Sequence, residues 1–274
     1  MQLDSVVMAF GGLVAVAGVS FGVDHGRRLA LLGPNGAGKT TVFNVLAGDL
    51  IPTAGRVHID GADCTALPSR ARPGLGMART YQRTRLFAGL TVSDNLYLSV
   101  TGKEGTAFRP WRTAEDRRRR DRVAEVAERV WIADRLDTRV EDLSHGQRRQ
   151  VEIGMALATD PTILLLDEPA SGLSRGERER LTELLLGLER SITLLIIEHD
   201  MDVALEVADD VVVMSDGEVV ATGTPSEITA NEVVQQIYLG RGADVATTGD
   251  TDETTAEATT ADRAIADGAE GADA

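Results

Sequence analysis

Eight consecutive residues, Gly33-Pro34-Asn35-Gly36-Ala37-Gly38-Lys39-Thr40, match the G-x-x-x-x-G-K-[ST] pattern, and Thr41 follows them. At average composition a chain of this length shows the pattern by chance with a probability of about 1%. Context lowers that further. A strand-like run, Arg28 to Leu32, precedes the loop, and a helical segment, Thr41 to Ala47, follows it and closes at Gly48. In such a loop the glycines turn backbone N–H groups inward as an anion nest, and the new helix adds its positive end. Lys39 is expected to reach the β- and γ-phosphates, and the Thr40 hydroxyl to hold Mg²⁺. The chain has only two lysines, Lys39 and Lys103, and neither lies in an N-K-x-D segment of the kind a guanine reader carries, so ATP is the expected nucleotide.

Two further segments bear on the same chemistry. Ile163-Leu164-Leu165-Leu166-Asp167-Glu168-Pro169 reads as an apolar strand delivering two carboxylates at its carboxyl end, where α/β sheets bind ligands. Asp167 suits a Mg²⁺ role and Glu168 that of a general base toward water. Leu143-Ser144-His145-Gly146-Gln147 opens a helix through a capping box between Ser144 and Gln147, continued on one face by Val151, Met155 and Ala158. A serine hydroxyl, a small glycine and a helix N-terminus together make a second anion site.

The rest of residues 1 to 240 alternates short apolar runs with helical patterns, which predicts an α/β fold with a largely parallel sheet. Arg28–Leu32, Thr162–Leu166 and Thr193–Ile197 read as buried strands. Asp216-Gly217 reads as a hairpin turn, and Thr224-Pro225-Ser226-Glu227 as a helix start. Val123, Val126, Ala127, Val130 and Trp131 predict the apolar face of a helix, and Arg117 to Arg120 a solvated face paired with Glu115, Asp116 and Asp121. The uncharged stretch Val6 to Val23 is as long as a short membrane span. Its glycines at 11, 12, 18 and 22 suit two strands and a tight turn better. No basic residue precedes it, so an export signal is not expected.

Composition sets the remaining bounds. A net charge of -15 lacks the electrostatic footprint of a nucleic-acid binder, so no nucleic-acid partner is expected. Cys64 is the sole cysteine and the four histidines are scattered, which argues against a structural zinc site. Residues 241 to 274 carry nine acids against Arg241 and Arg263 amid Thr, Ala and Gly, and read as an acidic disordered tail.

Taken in order, the phosphate loop, Gln82 after a strand, the Leu143–Gln147 signature, Asp167-Glu168 and His199 after a strand resemble an ABC ATPase subunit over residues 1 to 240. The resemblance implies a P-loop NTPase ABC ATPase fold: a RecA-like core, an antiparallel β subdomain and a helical subdomain at about 86 to 157. It also implies that two subunits pack head to tail, with Ser144, Gly146 and Gln147 serving the nucleotide bound opposite. Phe10 falls where the family stacks an aromatic on adenine, Gln82 where it contacts Mg²⁺ and water, and His199 where it touches the γ-phosphate. Phe10-Gly11-Gly12, Arg79-Thr80-Tyr81-Gln82, Arg85-Leu86-Phe87, Arg109-Pro110 and Ile237-Tyr238-Leu239-Gly240 look like the ATPases of branched-chain amino-acid, amide and urea uptake systems. The implied setting is the cytoplasmic face of the cell membrane. The implied partners are integral-membrane permease subunits, an extracytoplasmic solute-binding protein acting through them, and a second ABC ATPase. A heterodimer is expected, with a homodimer as the other arrangement. Three alternatives stand beside this, one of them a nucleotide-responsive scaffold that binds ATP without hydrolysing it, motivated by Ser174 and His145. A lipopolysaccharide-transport ATPase shares the Tyr-Leu-Gly ending, but the long insert between Gln82 and Ser144 speaks against it. A non-transport ABC protein would carry a coiled-coil insertion or a second cassette, and neither is seen. Three departures from the family bear on coupling across the pair: His145 for glycine, Ser174 for Asp or Asn, and Gly154-Met155 for Ala-Arg.

Overall fold

Strands in which both faces are apolar need cover on both sides, and that requirement organises this molecule. The computed structural model describes residues 1–80, 86–104 and 114–239. Ten strands are seen: β1 (Gln2–Phe10), β2 (Leu13–Gly22), β3 (Arg28–Leu32), β4 (Ala54–Ile59), β5 (Ala62–Asp63), β6 (Met77–Arg79), β7 (Ile163–Asp167), β8 (Thr193–Ile197), β9 (Asp210–Ser215) and β10 (Glu218–Gly223). The helices are α1 (Lys39–Ala47), α2 (Val92–Glu104), α3 (Ala114–Arg129), α4 (His145–Leu157), α5 (Arg175–Leu186), α6 (Met201–Val207), α7 (Pro225–Ala230) and α8 (Glu232–Leu239).

A six-stranded sheet runs β10-β9-β3-β8-β7-β6, parallel except for the β9–β10 hairpin. Every residue of β3, β7 and β8 is buried. Their alternation divides the interior in two. Ala30, Leu32, Leu164, Leu166, Leu194 and Ile196 join α2 to α6 on one face, while Leu29, Leu31, Ile163, Leu165, Leu195 and Ile197 join α1 and the second sheet on the other. That second sheet, β2-β1-β4-β5, is antiparallel and turns at Gly11-Gly12 as the sequence suggests. Arg28, the one charged residue of β3, is 2% exposed and is satisfied by the Leu186 and Leu188 carbonyls at 3.1 and 2.9 Å.

Two capping boxes form where the sequence places them, at Ser144–Gln147 on α4 and Thr224–Glu227 on α7. The arginine run follows expectation in part: Arg119 pairs with Glu115 at 3.0 Å and Arg120 with Asp116 at 3.2 Å, one turn apart, but the Arg119 side chain is half-buried rather than solvated. The tryptophan reading is corrected. α3 ends at Arg129, and Trp131 lies beyond it, 48% exposed with φ 57°. The Ile132 N–H bonds back to the Ala127 carbonyl and the Trp131 N–H to that of Glu128, which is a Schellman closure with tryptophan in the left-handed position. Burial of Ile132 accompanies this closure, and the indole turns outward. Gln82, the segment around Arg109-Pro110 and the tail from 241 onward lie outside the described residues.

Candidate functional site

At the carboxyl edge of the parallel sheet the chain leaves β3 through Gly33, whose φ is 147°. A Cβ there would run into the Met214 carbonyl of β9. Gly38, at φ 95°, would place a Cβ 2.6 Å from the Ala15 carbonyl of β2. The loop is thus wedged between two strands that tolerate only glycine at these positions. Gly38 is also the N-cap of α1, so that end has no side-chain cap and no acid in its first turn, whereas side chains cap α4, α6 and α7. Uncapped N–H groups at a helix start are free to bind an anion. Lys39, 5% exposed, folds back to donate to the Gly33 and Pro34 carbonyls at 2.6 and 3.0 Å. Burial lowers its pKa, opposed by the charges of Glu168 and Asp167. Asn35, Gly36 and Thr40 are exposed, Pro34 and Thr41 half-buried, and Ala37 buried.

Across the edge, β7 ends in Asp167, 3% exposed, with one carboxylate oxygen, Oδ1, lacking any hydrogen-bond partner. Burial first, and then the neighbouring Glu168 charge, raises its pKa. An orphaned carboxylate oxygen and a threonine hydroxyl are both hard oxygen donors of the kind Mg²⁺ takes, so the residues fit that ion. Glu168 itself sits at φ 44°, a conformation costly for a non-glycine residue and found at functional sites. Three bonds hold it there. Its N–H donates to the Ile197 carbonyl (2.9 Å), and its carbonyl accepts from the Ser171 N–H (3.1 Å) and from Arg149 Nη2 (3.1 Å). The next turn is tied down where the Ala170 N–H meets Glu198 Oε1 at 2.7 Å. His199 Nδ1 lies 4.0 Å from Glu168 Oε2 and 3.9 Å from Glu198 Oε2. Glu198 is fully buried, and burial raises its pKa.

The head of α4 forms a separate cluster. Gln147 N donates to Ser144 Oγ at 3.2 Å, and Ser144 N to Gln147 Oε1 at 2.9 Å. Ser144 Oγ and the Gly146 N–H both donate to Glu177 Oε1, at 3.1 and 3.0 Å. The His145 imidazole packs beside Gly172 of the loop after β7. The structure therefore brings Lys39, Asp167, Glu168 and His199 to one edge, and assembles Ser144, Gly146 and Gln147 with each other and with Glu177. Phe10, at the end of β1, is 47% exposed and so is not a core residue. Sequence reasoning passed over Arg149, Glu177 and Glu198. Only Glu177 left a local signal, the S-x-x-E capping box with Ser174.

A parallel core with a phosphate loop on its first helix and a strand-end Asp-Glu pair defines a P-loop nucleoside triphosphatase. The sequence pattern described as ABC transporter matches residues 16–171, and that described as branched-chain amino acid ATP-binding cassette transporter matches residues 218–244. The chain belongs to the ABC transporter family and is one of its ATPase subunits. It is 37% identical over 248 residues to the high-affinity branched-chain amino acid transport ATP-binding protein BraF of Pseudomonas aeruginosa, covering 88% of this chain and 97% of that one. Among solved structures it is similar to the ADP conformation of the ATP-binding cassette MJ1267 (TM-score 0.76, 29% identity, 87% and 98% covered). It is also similar to the dimeric post-hydrolysis cassette MJ0796 bound to ADP and Pi (0.69, 26%, 82% and 98%).

Proposed function

We propose that this chain is the ATP-hydrolysing subunit of an importer for branched-chain amino acids or related amides and urea, acting at the cytoplasmic face of the cell membrane beneath permease subunits. The observation that carries the reading is the presence in one chain of two anion-binding helix starts at different places, the uncapped head of α1 and the serine-headed α4. A head-to-tail pair brings one chain's loop against its partner's α4, and ATP is held between them. The partner is a second ABC ATPase, a heterodimer being expected in this uptake group.

In that pair Lys39 leaves the Gly33 and Pro34 carbonyls for the phosphates, and the first-turn N–H groups of α1 hold phosphate oxygens. Asp167, Thr40 and Gln82 would hold Mg²⁺, which neutralises charge on the β- and γ-oxygens when bound. Glu168 takes the proton from the attacking water, a contribution of about 10² to 10⁴ in rate. Its strained backbone, fixed by Arg149 and the Ile197 carbonyl, keeps the carboxylate at the sheet edge without help from ligand. His199 stands beside it as the γ-phosphate contact, and Phe10 offers an exposed ring for adenine stacking. The described residues 86–104 and 114–157, in which α2, α3 and α4 pack together, would receive the permease.

Glu168→Gln is expected to bind Mg·ATP as the parent does, lose turnover by about two orders of magnitude or more, and accumulate a closed pair on size exclusion. Turnover equal to that of the unaltered protein removes Glu168 from the base role. Purification from membranes with identification of the accompanying chains tests the importer assignment; the absence of permeases would overturn it.

A further inference from the structure

The anion seat at the head of α4 is already filled by an acid of the same chain. Glu177, in the first turn of α5, spans two helix starts. Its Oε1 takes the Gly146 N–H and the Ser144 hydroxyl, and its Oε2 takes the Ser174 N–H at 3.0 Å and the Ser174 hydroxyl at 2.8 Å. The contact is tight. A Cβ on Gly146 would lie 2.7 Å from Oε1 and 2.8 Å from the Glu177 Cγ. An N–H has one proton to donate, and so does a hydroxyl; both are committed. A phosphate oxygen arriving at Ser144 and Gly146 therefore meets no free donor and faces a negative charge.

We infer that Glu177 is a resident competitor for the partner's nucleotide: its carboxylate must leave Ser144 and Gly146 before the γ-phosphate of ATP bound to the other subunit can take them, and its charge sets the ATP concentration at which the pair closes. The inference rests on the sandwiched pair proposed above. The exchange is local. Oε2 stays tied to Ser174 as Oε1 lets go, so the side chain pivots and the α5 cap survives. A cavity of 110 Å³ beside the seat, lined by Ser144, Gly146, Gln147, Glu177 and Arg180 among others, offers space and a cation for the displaced oxygen. Hydrogen bonds from Ser174, Gly146 and Ser144 hold the Glu177 pKa down at about 2, so protonation does not relieve the competition at neutral pH.

Glu177→Gln keeps the side-chain length and an amide oxygen for the Ser174 box, and removes the charge. The test uses the full chain, with the second ATPase that accompanies it, in the Glu168→Gln background. Pair formation is followed by light scattering against ATP concentration, and ADP affinity of the unpaired subunit is measured alongside. The half-maximal ATP concentration for pairing is expected to fall by about fivefold or more, since like charges at an interface strongly disfavour association, while ADP affinity stays unchanged. A requirement equal to or above that of the parent overturns the inference and leaves Glu177 a strut between α4 and α5. If the glutamine variant fails to fold, Glu177→Asp carries the same test. The shorter acid keeps the Ser174 contact and withdraws from Gly146, so a lower requirement is again expected, and an unchanged one overturns the proposal. A Glu168→Gln parent that never pairs with ATP overturns the underlying sandwich instead.

Discussion

Charge held in place by backbone geometry is what single residues contribute here. Glu177 is depressed to about 2 from an ordinary 4.5, first by the Ser174 N–H and hydroxyl and then by the Gly146 N–H and Ser144 hydroxyl, with Arg149 and Arg180 lining the same cavity. For a carboxylate whose folded pKa is depressed, the stabilisation is complete above the unfolded value and disappears as pH falls toward the folded one. Denaturant unfolding of the isolated chain is therefore expected to lose stability between pH 4.5 and 2, and Glu177→Gln to flatten that limb by lowering the neutral plateau toward the acid value. An acid limb identical in both proteins would contradict the four-bond carboxylate. Asp167 and Glu198 carry the opposite sign. Burial raises both, so the folded state holds their protons longer and stability declines as pH climbs through their range.

Between elements, the decisive contact is made by Arg149 of α4. It is 8% exposed, pairs with Glu152 at 2.7 Å one turn along, and donates to the Glu168 carbonyl. Breaking a buried pair by removing one partner costs about 3–5 kcal/mol because the other charge is stranded, whereas replacing both with apolar groups is close to neutral. Arg149→Leu is thus expected to lower unfolding free energy by about that amount, and Arg149→Leu with Glu152→Leu to restore most of it. ATP turnover should remain depressed in the repaired protein, because the Glu168 carbonyl has still lost one of its two donors, keeping only the Ser171 N–H. Full recovery of turnover along with stability would show that the Glu168 contact is idle. The same scale explains what could be read in advance. The phosphate loop, the α4 and α7 caps, the Gly11-Gly12 and Asp216-Gly217 turns and the buried strands are local patterns, legible within a few residues. Arg149 to Glu168, Glu177 to Gly146 and Glu198 to Ala170 join residues 19 to 31 positions apart, and no periodicity announces them. Trp131 departs from the apolar face because helical spacing continues through it while the Schellman bonds have already ended α3.

For the molecule as a whole, one sheet separates two apolar interiors and presents its candidate site at the edge where β3, β7 and β8 all end. No described helix is long and apolar enough to cross a membrane. A ligand that binds only the folded state stabilises it by mass action, by about 2.7 kcal/mol at a hundredfold excess over its dissociation constant, and so raises the melting temperature. Mg·ATP is expected to raise the melting temperature of the unaltered chain and of Glu168→Gln, and to leave Lys39→Ala close to its ligand-free value. An equal rise in Lys39→Ala would place the nucleotide elsewhere.

The guanidinium of Arg149 ties α4 to the end of β7. It grows from the helix whose head, in the proposed sandwich, grips the neighbour's ATP, yet its tip holds the main chain under this subunit's own base. Under the proposed function, a pull on the head of α4 by the neighbour's nucleotide would reach the main chain of Glu168 through this one side chain.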